Sequence, residues 1–305
     1  MKCLAVTGCA GFIGSRVARQ LLERGDLVYG VDALTYAANP DVVNDLARLG
    51  GRDRFHFIAK DINDLGAWPD IDAVIHLAAE THVDNSLTHS ERFLHTNILG
   101  VAHLLEMTRV SPHPARFIHI STDEVYGDVS HGETREDAPL CPSSPYAASK
   151  AAGDHLIQAW ARSYGLTYNI VRPSNCYGTG QYPEKLIPKA VRYQQMGKNF
   201  PLHGSGKQTR YWLDVEDCAS AILAVLDHGE RNAIYNVGGN TEASVLDILK
   251  AVGTDELWDG VVRPGVDKRY HVNDDALRAL KWEPKGDLWR DLPGILEAER
   301  QTLRW

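Results

Sequence analysis

The sequence lacks any apolar run that approaches the roughly 18 residues of a membrane-spanning helix. Its first residues also lack the charged segment, apolar segment and cleavage site that mark a secretory signal peptide. From these two absences we expect a cytoplasmic protein with no membrane partner.

Cysteine is scarce, and the five cysteines are odd in number, widely spaced and free of any Cys-x-x-Cys pair: Cys3, Cys9, Cys141, Cys176 and Cys218. This pattern argues against a disulfide framework and against a zinc knuckle, and it fits a reducing compartment. The 13 histidines include no His-Glu-x-x-His or comparable ligand spacing. We therefore predict no metal, and we interpret His76, His82 and His119 as histidines of the core or the cleft.

Long runs of like charge are also absent, although 40 acidic residues against 32 basic residues give a net charge of −8. A protein that binds nucleic acid or an anionic membrane would carry a basic patch. We expect small molecules as partners instead. The hydrophobic content of 44% is enough for a sizeable core, and no internal repeat is present.

A strand, a glycine loop and a helix open the chain. Residues 2–7 have the apolar pattern of a short buried strand, and residues 15–24 have a helical pattern. Between them, Gly8 and Gly11 would let the backbone approach a pyrophosphate at the helix N-terminus, and Gly14 would let the helix press on the sheet. Three glycines alone are a weak signal for a dinucleotide site, because a tight turn uses the same residues.

The next strand strengthens the dinucleotide interpretation. Residues 27–31 form a strand pattern that ends at Asp32, 24 residues after Gly8. A carboxylate at this position can bind both adenosine ribose hydroxyls of NAD and repels the 2′-phosphate of NADP. The sequence therefore predicts NAD as the cofactor, with a surface aspartate as the alternative.

Strands and helices continue to alternate through the first half. Strand patterns cover residues 55–58 and 73–79, and helical patterns cover residues 40–49 and 91–110. This alternation predicts a Rossmann-type, doubly wound parallel α/β sheet. Ala78 and Ala79 are small enough for a cofactor to lie against that strand end, although helix packing would also explain them.

The second half is less regular and richer in proline and glycine. After a strand pattern at residues 166–172, we expect a smaller C-terminal α/β lobe that binds the substrate. The predicted division is residues 1–172 for the NAD-binding domain and residues 173–305 for the lobe. Parts of residues 207–240 are expected to fold back, because residues 233–237 could join the main sheet.

The segment from Ser121 to Lys150 carries the predicted chemistry. Its first residues follow a strand pattern, and ligands bind at such strand ends in open α/β sheets. Tyr146 and Lys150 stand at i and i+4 on a predicted helix that Pro145 begins. An ammonium beside a phenol favours the phenolate, so the pair can act as a base well below the ordinary tyrosine pKa of about 10. A lone Tyr-x-x-x-Lys is also common on surface helices.

Two acids lie in the same segment. Asp123 and Glu124 are adjacent, so their like charges repel in a closed site and one of them should keep its proton to higher pH. Such a division suits one general acid and one general base. Acidic pairs in loops are usually solvated turns, but here the pair precedes a Tyr-x-x-x-Lys helix and follows a glycine loop at the N-terminus.

Several motifs together resemble the extended short-chain dehydrogenase/reductase family, and within it the 4,6-dehydratases of dTDP-glucose. The resemblance covers most of the chain. It rests on Thr7-Gly8-x-x-Gly11-x-x-Gly14, Asp32-x-Leu34-Thr35-Tyr36-Ala37, His76-Leu77-Ala78-Ala79-Glu80-Thr81-His82-Val83-Asp84, Ser121 to Gly127, Tyr146 to Lys150, Ser174-Asn175-Cys176-Tyr177-Gly178, Tyr182-Pro183-Glu184-Lys185-Leu186-Ile187-Pro188 and Tyr235-Asn236-Val237-Gly238-Gly239. The Asp123-Glu124 pair is the most specific of these, because epimerases of the family usually lack it.

The resemblance implies an NAD-dependent lyase that converts a nucleoside-diphosphate hexose into its 4-keto-6-deoxy form. Tyr146, with Lys150 and Thr122, would serve oxidation at C4. Glu124 would then remove the C5 proton while Asp123 protonates the leaving C6 hydroxyl, and the hydride would finally return to C6 with reprotonation of C5. The implied cofactor contacts are Gly8, Gly11, Phe12, Ile13, Gly14, Asp32, Leu34, Thr35, Asp61, Ile62, Leu77, Ala78, Ala79, Tyr146 and Lys150. The implied substrate contacts are Thr81, Asn175, Glu184, Lys185, Arg210, Asn236, Arg263 and Arg269.

Other outcomes of the same opening chemistry remain as alternatives. They are a C4 epimerase, a decarboxylase and a dehydratase that releases a 5,6-unsaturated sugar. A catalytically silent NAD-binding subunit is a further alternative, although silent members commonly lose the Tyr or the Lys that this chain keeps. The resemblance also implies a homodimer, formed through the helices around residues 97–110 and 146–163.

The chain departs from the dehydratase pattern on the substrate side. Asn85 stands where Arg is usual, Cys176 where a second Asn is common, Tyr211 where Asp usually precedes Trp212, and Val266 where His is usual. These departures bear on which nucleotide base and which sugar the pocket accepts, and on how the pocket closes.

Overall fold

The structure, a computed structural model, describes residues 1–254, 257–261 and 267–302, with only the backbone for residues 257–261. The strands within these residues are β1 (Cys3–Thr7), β2 (Leu27–Asp32), β3 (Phe55–Ala59), β4 (Ala73–His76), β5 (Arg116–Ile120), β6 (Tyr168–Pro173), β7 (Asn175–Tyr177), β8 (Phe200–His203), β9 (Thr209–Asp214), β10 (Ala233–Val237), β11 (Thr241–Ser244) and β12 (Leu257–Val261).

The helices of the described residues cover both faces of the main sheet and fill the second half. They are α1 (Phe12–Glu23), α2 (Pro40–Arg54), α3 (Val83–Thr88), α4 (Ser90–Leu94), α5 (Val101–Val110), α6 (Pro145–Tyr164), α7 (Leu186–Gln195), α8 (Val215–His228), α9 (Val245–Val252), α10 (Asp275–Arg278) and α11 (Leu288–Gln301).

Seven strands form one sheet in the order β10-β6-β5-β4-β1-β2-β3, and every pair is parallel. The order reverses between β1 and β4, as in Rossmann-type doubly wound sheets, and ligands bind at the carboxyl ends of the strands at such a point. The predicted fold class is confirmed. The predicted strand at residues 233–237 is present as β10, which pairs with β6 at the sheet edge.

Burial on both faces explains why the central strands are apolar throughout. Leu4, Ala5 and Val6 of β1 are fully buried, as expected for a parallel strand covered by helices on each side. One face packs against α1, α2 and α8, and the other packs against α5 and α6. The sheet is therefore a rigid support for the loops at its carboxyl edge.

The single helix predicted for residues 91–110 is divided in the structure. α4 and α5 are separated by a turn of π-helix at His95–Gly100. Within it, the Asn97 side chain accepts from the backbone N–H of Glu80, donates to the Glu80 carbonyl oxygen and donates to Ser149 Oγ. These three bonds tie the helix to the loop after β4 and to α6, and π-turns of this kind often occur at functional sites.

Most of the second half forms a smaller cluster beside the sheet. β7, β9 and β11 make a three-stranded sheet, and β8 pairs with β12. Buried side chains of α7, α9 and α11 pack together with these strands. This cluster borders the carboxyl edge of the main sheet through the segment that follows β6.

The glycine loop depends on close backbone contacts. Gly8 has a left-handed φ of +72°, and a Cβ there would lie 2.8 Å from the backbone nitrogen of Ala78. A Cβ on Gly14 would lie 2.0 Å from the carbonyl oxygen of Gly8. Only glycine lets the first turn of α1 approach the end of β1 this closely.

We predict that Gly14→Ala lowers the free energy of unfolding by about 1–3 kcal/mol, the usual cost of forcing an extra methyl group into a packed site. Urea denaturation measures the change. Gly66→Ala is the matched control, because a Cβ at Gly66 meets nothing within 4 Å. An equal, small change in both variants would contradict the close contact.

Candidate active site

A cleft runs along the carboxyl edge of the main sheet, across the point where the strand order reverses. It is lined by the glycine loop, the segments that follow β2, β4 and β5, the first turns of α6, and residues 173–185. The dinucleotide loop, the acidic pair and the Tyr-x-x-x-Lys helix therefore share one cleft.

The acidic pair lies in a short 3-10 turn, Asp123–Tyr126, that follows β5. Thr122 begins this turn: its Oγ1 accepts from the Glu124 backbone N–H at 3.3 Å and donates to Asp123 Oδ1 at 3.3 Å. Gly127 ends the turn with a φ of +75°. The turn therefore holds both carboxyls at the strand end, where the sequence places them.

Asp123 is only 3% exposed. Burial raises the pKa of its carboxyl to about 8, and the charge of Glu124 adds to the rise, while Arg210 and the Thr122 hydrogen bond oppose it. Asp123 Oδ2 is buried and has no hydrogen-bond partner among the described residues. The carboxyl is therefore protonated at neutral pH, as a general acid requires. The sequence prediction of one protonated acid in the pair agrees with this geometry.

Tyr146 and Lys150 lie side by side on α6, both almost fully buried. The Lys150 ammonium donates to the Ile120 carbonyl oxygen at 2.7 Å. Burial lowers the pKa of Lys150 to about 8, and the carboxylate of Asp154 opposes that shift. The Lys150 side chain is therefore mostly protonated and positively charged at pH 7.

The pKa of Tyr146 differs from the sequence-based expectation. Burial raises this pKa above the ordinary value, the charge of Glu124 raises it further, and a hydrogen bond with Thr122 acts in the opposite direction. The predicted lowering by Lys150 is not seen in the chain alone, where burial is the largest effect on this pKa. Additional positive charge near the phenol would be needed to favour the phenolate.

The other end of the cleft fits a dinucleotide. Gly11 precedes α1 and provides no side-chain cap, so the first N–H groups of the helix are available at the cleft and favour an anion. At the end of β2, Asp32 Oδ2 accepts from the Ala10 N–H at 2.9 Å and Oδ1 accepts from the Leu34 N–H at 2.8 Å. Each oxygen retains a lone pair for a ribose hydroxyl.

The family model of the NAD dependent epimerase/dehydratase family matches residues 4–238, more than half of the chain. The chain belongs to this family. Its similarity to curated members is spread over the whole length. It is 41% identical over 346 residues to dTDP-glucose 4,6-dehydratase 1 of Escherichia coli strain K12, an alignment covering 100% of this chain and 94% of that protein. It is 42% identical over 319 residues to the dTDP-glucose 4,6-dehydratase of Streptomyces griseus, covering 99% and 95%.

Solved structures of the family share the fold over nearly the full chain. A double mutant of dTDP-glucose 4,6-dehydratase from Streptomyces venezuelae, solved with NAD bound, superposes with a TM-score of 0.92 at 36% identity and covers 99% of this chain and 98% of that one. UDP-glucose 4-epimerase from Thermotoga maritima, solved with UDP-glucose, gives a TM-score of 0.86 at 28% identity and covers 99% of each chain. The fold alone therefore does not separate dehydratases from epimerases within this family.

Most of the residues expected from the sequence line the cleft. The expected catalytic residues that line the cleft are Thr122, Asp123, Glu124, Tyr146 and Lys150. Those for the cofactor are Gly8, Gly11, Phe12, Ile13, Gly14, Asp32, Thr35, Asp61, Ile62, Leu77, Ala78 and Ala79. Those for the substrate are Thr81, Asn175, Glu184 and Lys185.

Three expected residues lie away from the cleft lining. Leu34 has a φ of +53°, is partly exposed and does not line the cleft; only its backbone N–H reaches Asp32. Asn236 is fully buried and uses its whole side chain to bond Tyr126, Thr134 and Asn273. Arg269 bonds Glu242 and the Gly132 carbonyl oxygen, away from the cleft lining.

Arg210 does not line the cleft either, but it lies near the acidic pair. Its guanidinium packs over the Tyr270 ring at 4.1 Å, and its charge lowers the pKa of Asp123. Arg263 and Val266 lie outside the described residues.

The structure adds residues that sequence reasoning left out. Tyr36 donates its hydroxyl to Glu184 Oε2 at 3.1 Å, which links the segment after β2 to residues 173–185, and it accepts from Asn85 Nδ2 at 3.3 Å. Ser121, Gln181 and Tyr182 line the cleft. Tyr36, Ser121 and Tyr182 all lie inside the motifs that carry the family resemblance, so those motifs could have identified them as residues of the site.

The residues that depart from the dehydratase pattern lie in different parts of the structure. Asn85 contacts Tyr36 at the mouth of the cleft, and Cys176 lines the cleft. Tyr211 stacks on His271 at 3.9 Å between ring centroids, outside the cleft lining. Of the three, Cys176 and Asn85 are therefore the ones placed to alter substrate contacts.

The three histidines singled out in the sequence divide between core and cleft mouth. His76 and His119 are buried and stack on each other at 5.3 Å. His82 lies 3.9 Å from Glu184 and 3.9 Å from Asp84. Across residues 1–254 and 267–302, no group of three or more potential ligands is arranged to hold a metal ion. No helix in the described part of the chain is long and apolar enough to cross a membrane.

We predict that Asp123→Asn stabilises the protein increasingly as the pH rises from 5 to 9. The folded-state pKa of Asp123, about 8, lies above the ordinary 3.8, so the folded chain binds this proton more tightly than the unfolded chain. The contribution of the carboxyl to stability is therefore fully present below about pH 4 and is lost as the pH rises through 8.

Thermal unfolding of both proteins across this pH range measures the difference. Asp53→Asn, at an exposed position on α2, is the matched control for the substitution itself. A gain of Asp123→Asn that is constant from pH 5 to pH 9 would contradict the raised pKa.

Proposed function

We propose that the chain is an NAD-dependent sugar-nucleotide 4,6-dehydratase, a lyase, with dTDP-glucose as the favoured substrate. The observation that carries the proposal is the buried, protonated Asp123 beside Glu124 in the same cleft as Tyr146 and Lys150. Such a site can both oxidise a hexose and eliminate water from it. Curated dTDP-glucose 4,6-dehydratases at about 40% identity over the whole chain support this substrate.

The cofactor would be held by the glycine loop, the α1 N-terminus and Asp32, whose carboxylate favours ribose hydroxyls over a 2′-phosphate. When bound there, NAD accepts a hydride from the hexose and gives it back within the same turnover. Leu77, Ala78 and Ala79 would lie along the cofactor, because they line the cleft next to the glycine loop.

Tyr146 is the proposed base for the C4 hydroxyl. Thr122 hydrogen-bonds the phenol, and Lys150 lies one helical turn away with its charge buried in the same cleft. Bound NAD would add positive charge to that of Lys150 near the phenol, which would favour the phenolate in the loaded site.

Glu124 and Asp123 divide the elimination. A ketone at C4 acidifies the C5 proton, which Glu124 removes as general base. Asp123 donates its proton to the leaving C6 hydroxyl, because its raised pKa keeps it protonated at neutral pH. The elimination gives water and a 4-keto-5,6-unsaturated sugar. Return of the hydride to C6 and of a proton to C5 would then give the 4-keto-6-deoxy sugar nucleotide, with no external oxidant or reductant.

The nucleotide sugar would be held mainly by residues 173–305, above the NAD-binding residues 1–172, with parts of residues 207–240 belonging to the main sheet. Asn175, Glu184 and Lys185 reach the cleft from this half, and Thr81 faces them from the segment after β4. Asn175 Oδ1 is buried without a hydrogen-bond partner among the described residues, as suits an atom that binds a ligand.

The chain is also proposed to form a homodimer in the cytoplasm. Large apolar side chains are exposed on α4, on the π-turn that follows it and at the last residues of α5 and α6: Leu94, Leu99, Val110 and Tyr164. Exposed apolar residues of this kind can form part of a protein interface.

A panel of nucleotide hexoses tests the substrate and the reaction together. We expect dTDP-glucose to give a 4-keto-6-deoxy product without net accumulation of reduced cofactor, and UDP-glucose to react more slowly or not at all. Product analysis by NMR reads the result. Formation of a C4 epimer from either substrate would favour the epimerase alternative, and steady release of NADH would contradict a dehydratase.

Replacing Glu124 by Gln separates oxidation from elimination. We predict that Glu124→Gln still reduces its bound cofactor on mixing with dTDP-glucose, whereas exchange of the C5 proton in D₂O falls by about 10²-fold or more, the scale of a lost general base. Glu23→Gln, on the exposed face of α1, is the control with wild-type rates. Wild-type exchange in Glu124→Gln would assign the C5 base to another residue.

A further inference from the structure

Arg172 on β6 is the largest fully buried side chain among the described residues, at 1% exposed. Its Nε and Nη2 both lie 3.0 Å from Asp154 Oδ2. Its Nη1 donates to the hydroxyl of Tyr126 at 2.6 Å, and the guanidinium packs over the Tyr126 ring at 4.8 Å. One rigid cation therefore binds two side chains from different segments.

Both partners of Arg172 belong to the segments that carry the proposed chemistry. Asp154 lies on α6, one turn beyond Lys150 and two turns beyond Tyr146. Tyr126 is the last residue of the 3-10 turn that holds Asp123 and Glu124. Arg172 thus connects the helix of the oxidation pair to the end of the turn that holds the elimination pair, in addition to the direct contacts that Thr122 makes with both pairs.

The hydroxyl of Tyr126 is also fixed from the opposite side. It donates to Asn236 Oδ1 at 2.8 Å while it accepts from Arg172. Asn236 in turn donates to the carbonyl oxygens of Thr134 and Asn273, at 3.1 Å each. The phenol therefore has its single proton and its acceptor site assigned, so the end of the turn has one position. This network accounts for Asn236, which the sequence placed among substrate contacts.

We propose that Arg172, Asp154 and Tyr126 form a positioning centre that fixes the oxidation pair, Tyr146 and Lys150, relative to the elimination pair, Asp123 and Glu124. The proposal rests on the proposed dehydratase function, in which one substrate must meet both pairs in a single visit to the cleft. None of the three residues lines the cleft, so each acts through its neighbours.

The ion pair of Arg172 and Asp154 is better suited to positioning its neighbours than to stabilising the fold. A buried ion pair adds little stability compared with well-packed apolar residues, because both charges lose their hydration. The planar guanidinium fork, however, fixes direction as well as distance. Asp154 also opposes the fall in the pKa of Lys150 that burial causes, which keeps that ammonium charged beside Tyr146.

Two conservative variants separate the two arms of the centre. Tyr126→Phe removes the hydroxyl that joins Arg172 to Asn236 and leaves the ring. Asp154→Asn keeps the shape of the side chain and removes its charge. The matched controls are Tyr235→Phe and Asp217→Asn, which remove a buried hydroxyl that accepts from the Glu230 N–H and a buried carboxylate that accepts from the Lys285 and Gly286 N–H groups.

Single-turnover mixing of the holoenzyme with dTDP-glucose follows the steps in each variant. Oxidation is the rise of reduced-cofactor absorbance, and elimination is its decay together with C5 exchange in D₂O. In Tyr126→Phe we expect oxidation within about twofold of wild type and elimination about tenfold slower, so reduced cofactor accumulates. In Asp154→Asn we expect oxidation about tenfold slower, without accumulation. A displacement of the reacting groups by about 1 Å can slow a step by about 10²-fold, so a tenfold effect is within the expected range.

A merely structural role would give a different result. Equal slowing of both steps, or step rates within twofold of the matched controls, would overturn the positioning centre. If Asp154→Asn does not fold, Tyr126→Phe alone decides by the same criterion, with thermal unfolding to establish that it is folded. Wild-type protein that gives no 4-keto product would refute the proposed function, whereas active wild type with no split between steps refutes only the positioning centre.

Discussion

The burial of ionisable side chains at one edge of a parallel sheet is the constraint on which the site depends. Asp123, Tyr146 and Lys150 are each less than 10% exposed. Burial raises the pKa of the acid and lowers the pKa of the ammonium, and so brings both to about 8. These groups can remain buried because the strands beneath them form a rigid, hydrogen-bonded sheet that is covered on both faces. The same burial makes the site costly for stability, which is typical of functional sites.

The doubly wound sheet also decides which segments meet. β1, β4 and β5 are neighbours and parallel, so the loops after them share one edge although they are separated by many residues. The glycine loop follows β1 and the acidic turn follows β5. A cofactor bound at the first would therefore lie beside the chemistry carried by the second.

Much of the fold could be predicted because apolar periodicity and glycine placement are local signals. The parallel sheet, the position of β10 in it and the helix that carries Tyr146 and Lys150 all agree with the pattern. The π-turn at His95–Gly100 could not be predicted, because it depends on Asn97 bonding Glu80 and Ser149, contacts that only the folded chain creates.

The candidate site shows the same limit. Motif residues close to the glycine loop and the acidic pair lie in one cleft, since their backbone is fixed by the strand ends. Asn236 lies outside it because its position in β10 directs the side chain toward Tyr126 rather than toward the cleft. The raised pKa of Tyr146 could not be predicted, because the i, i+4 spacing shows that Lys150 is near but not how deeply the phenol is buried.

The transfer of a label within one sugar tests the central claim most directly. Incubation of the holoenzyme with dTDP-glucose carrying deuterium at C4 should give a 4-keto-6-deoxy product with the deuterium at C6, because oxidation, elimination and return occur in one cleft. NMR and mass spectrometry of the product locate the label. Deuterium retained at C4 of an epimer, or lost from the sugar altogether, would contradict the account.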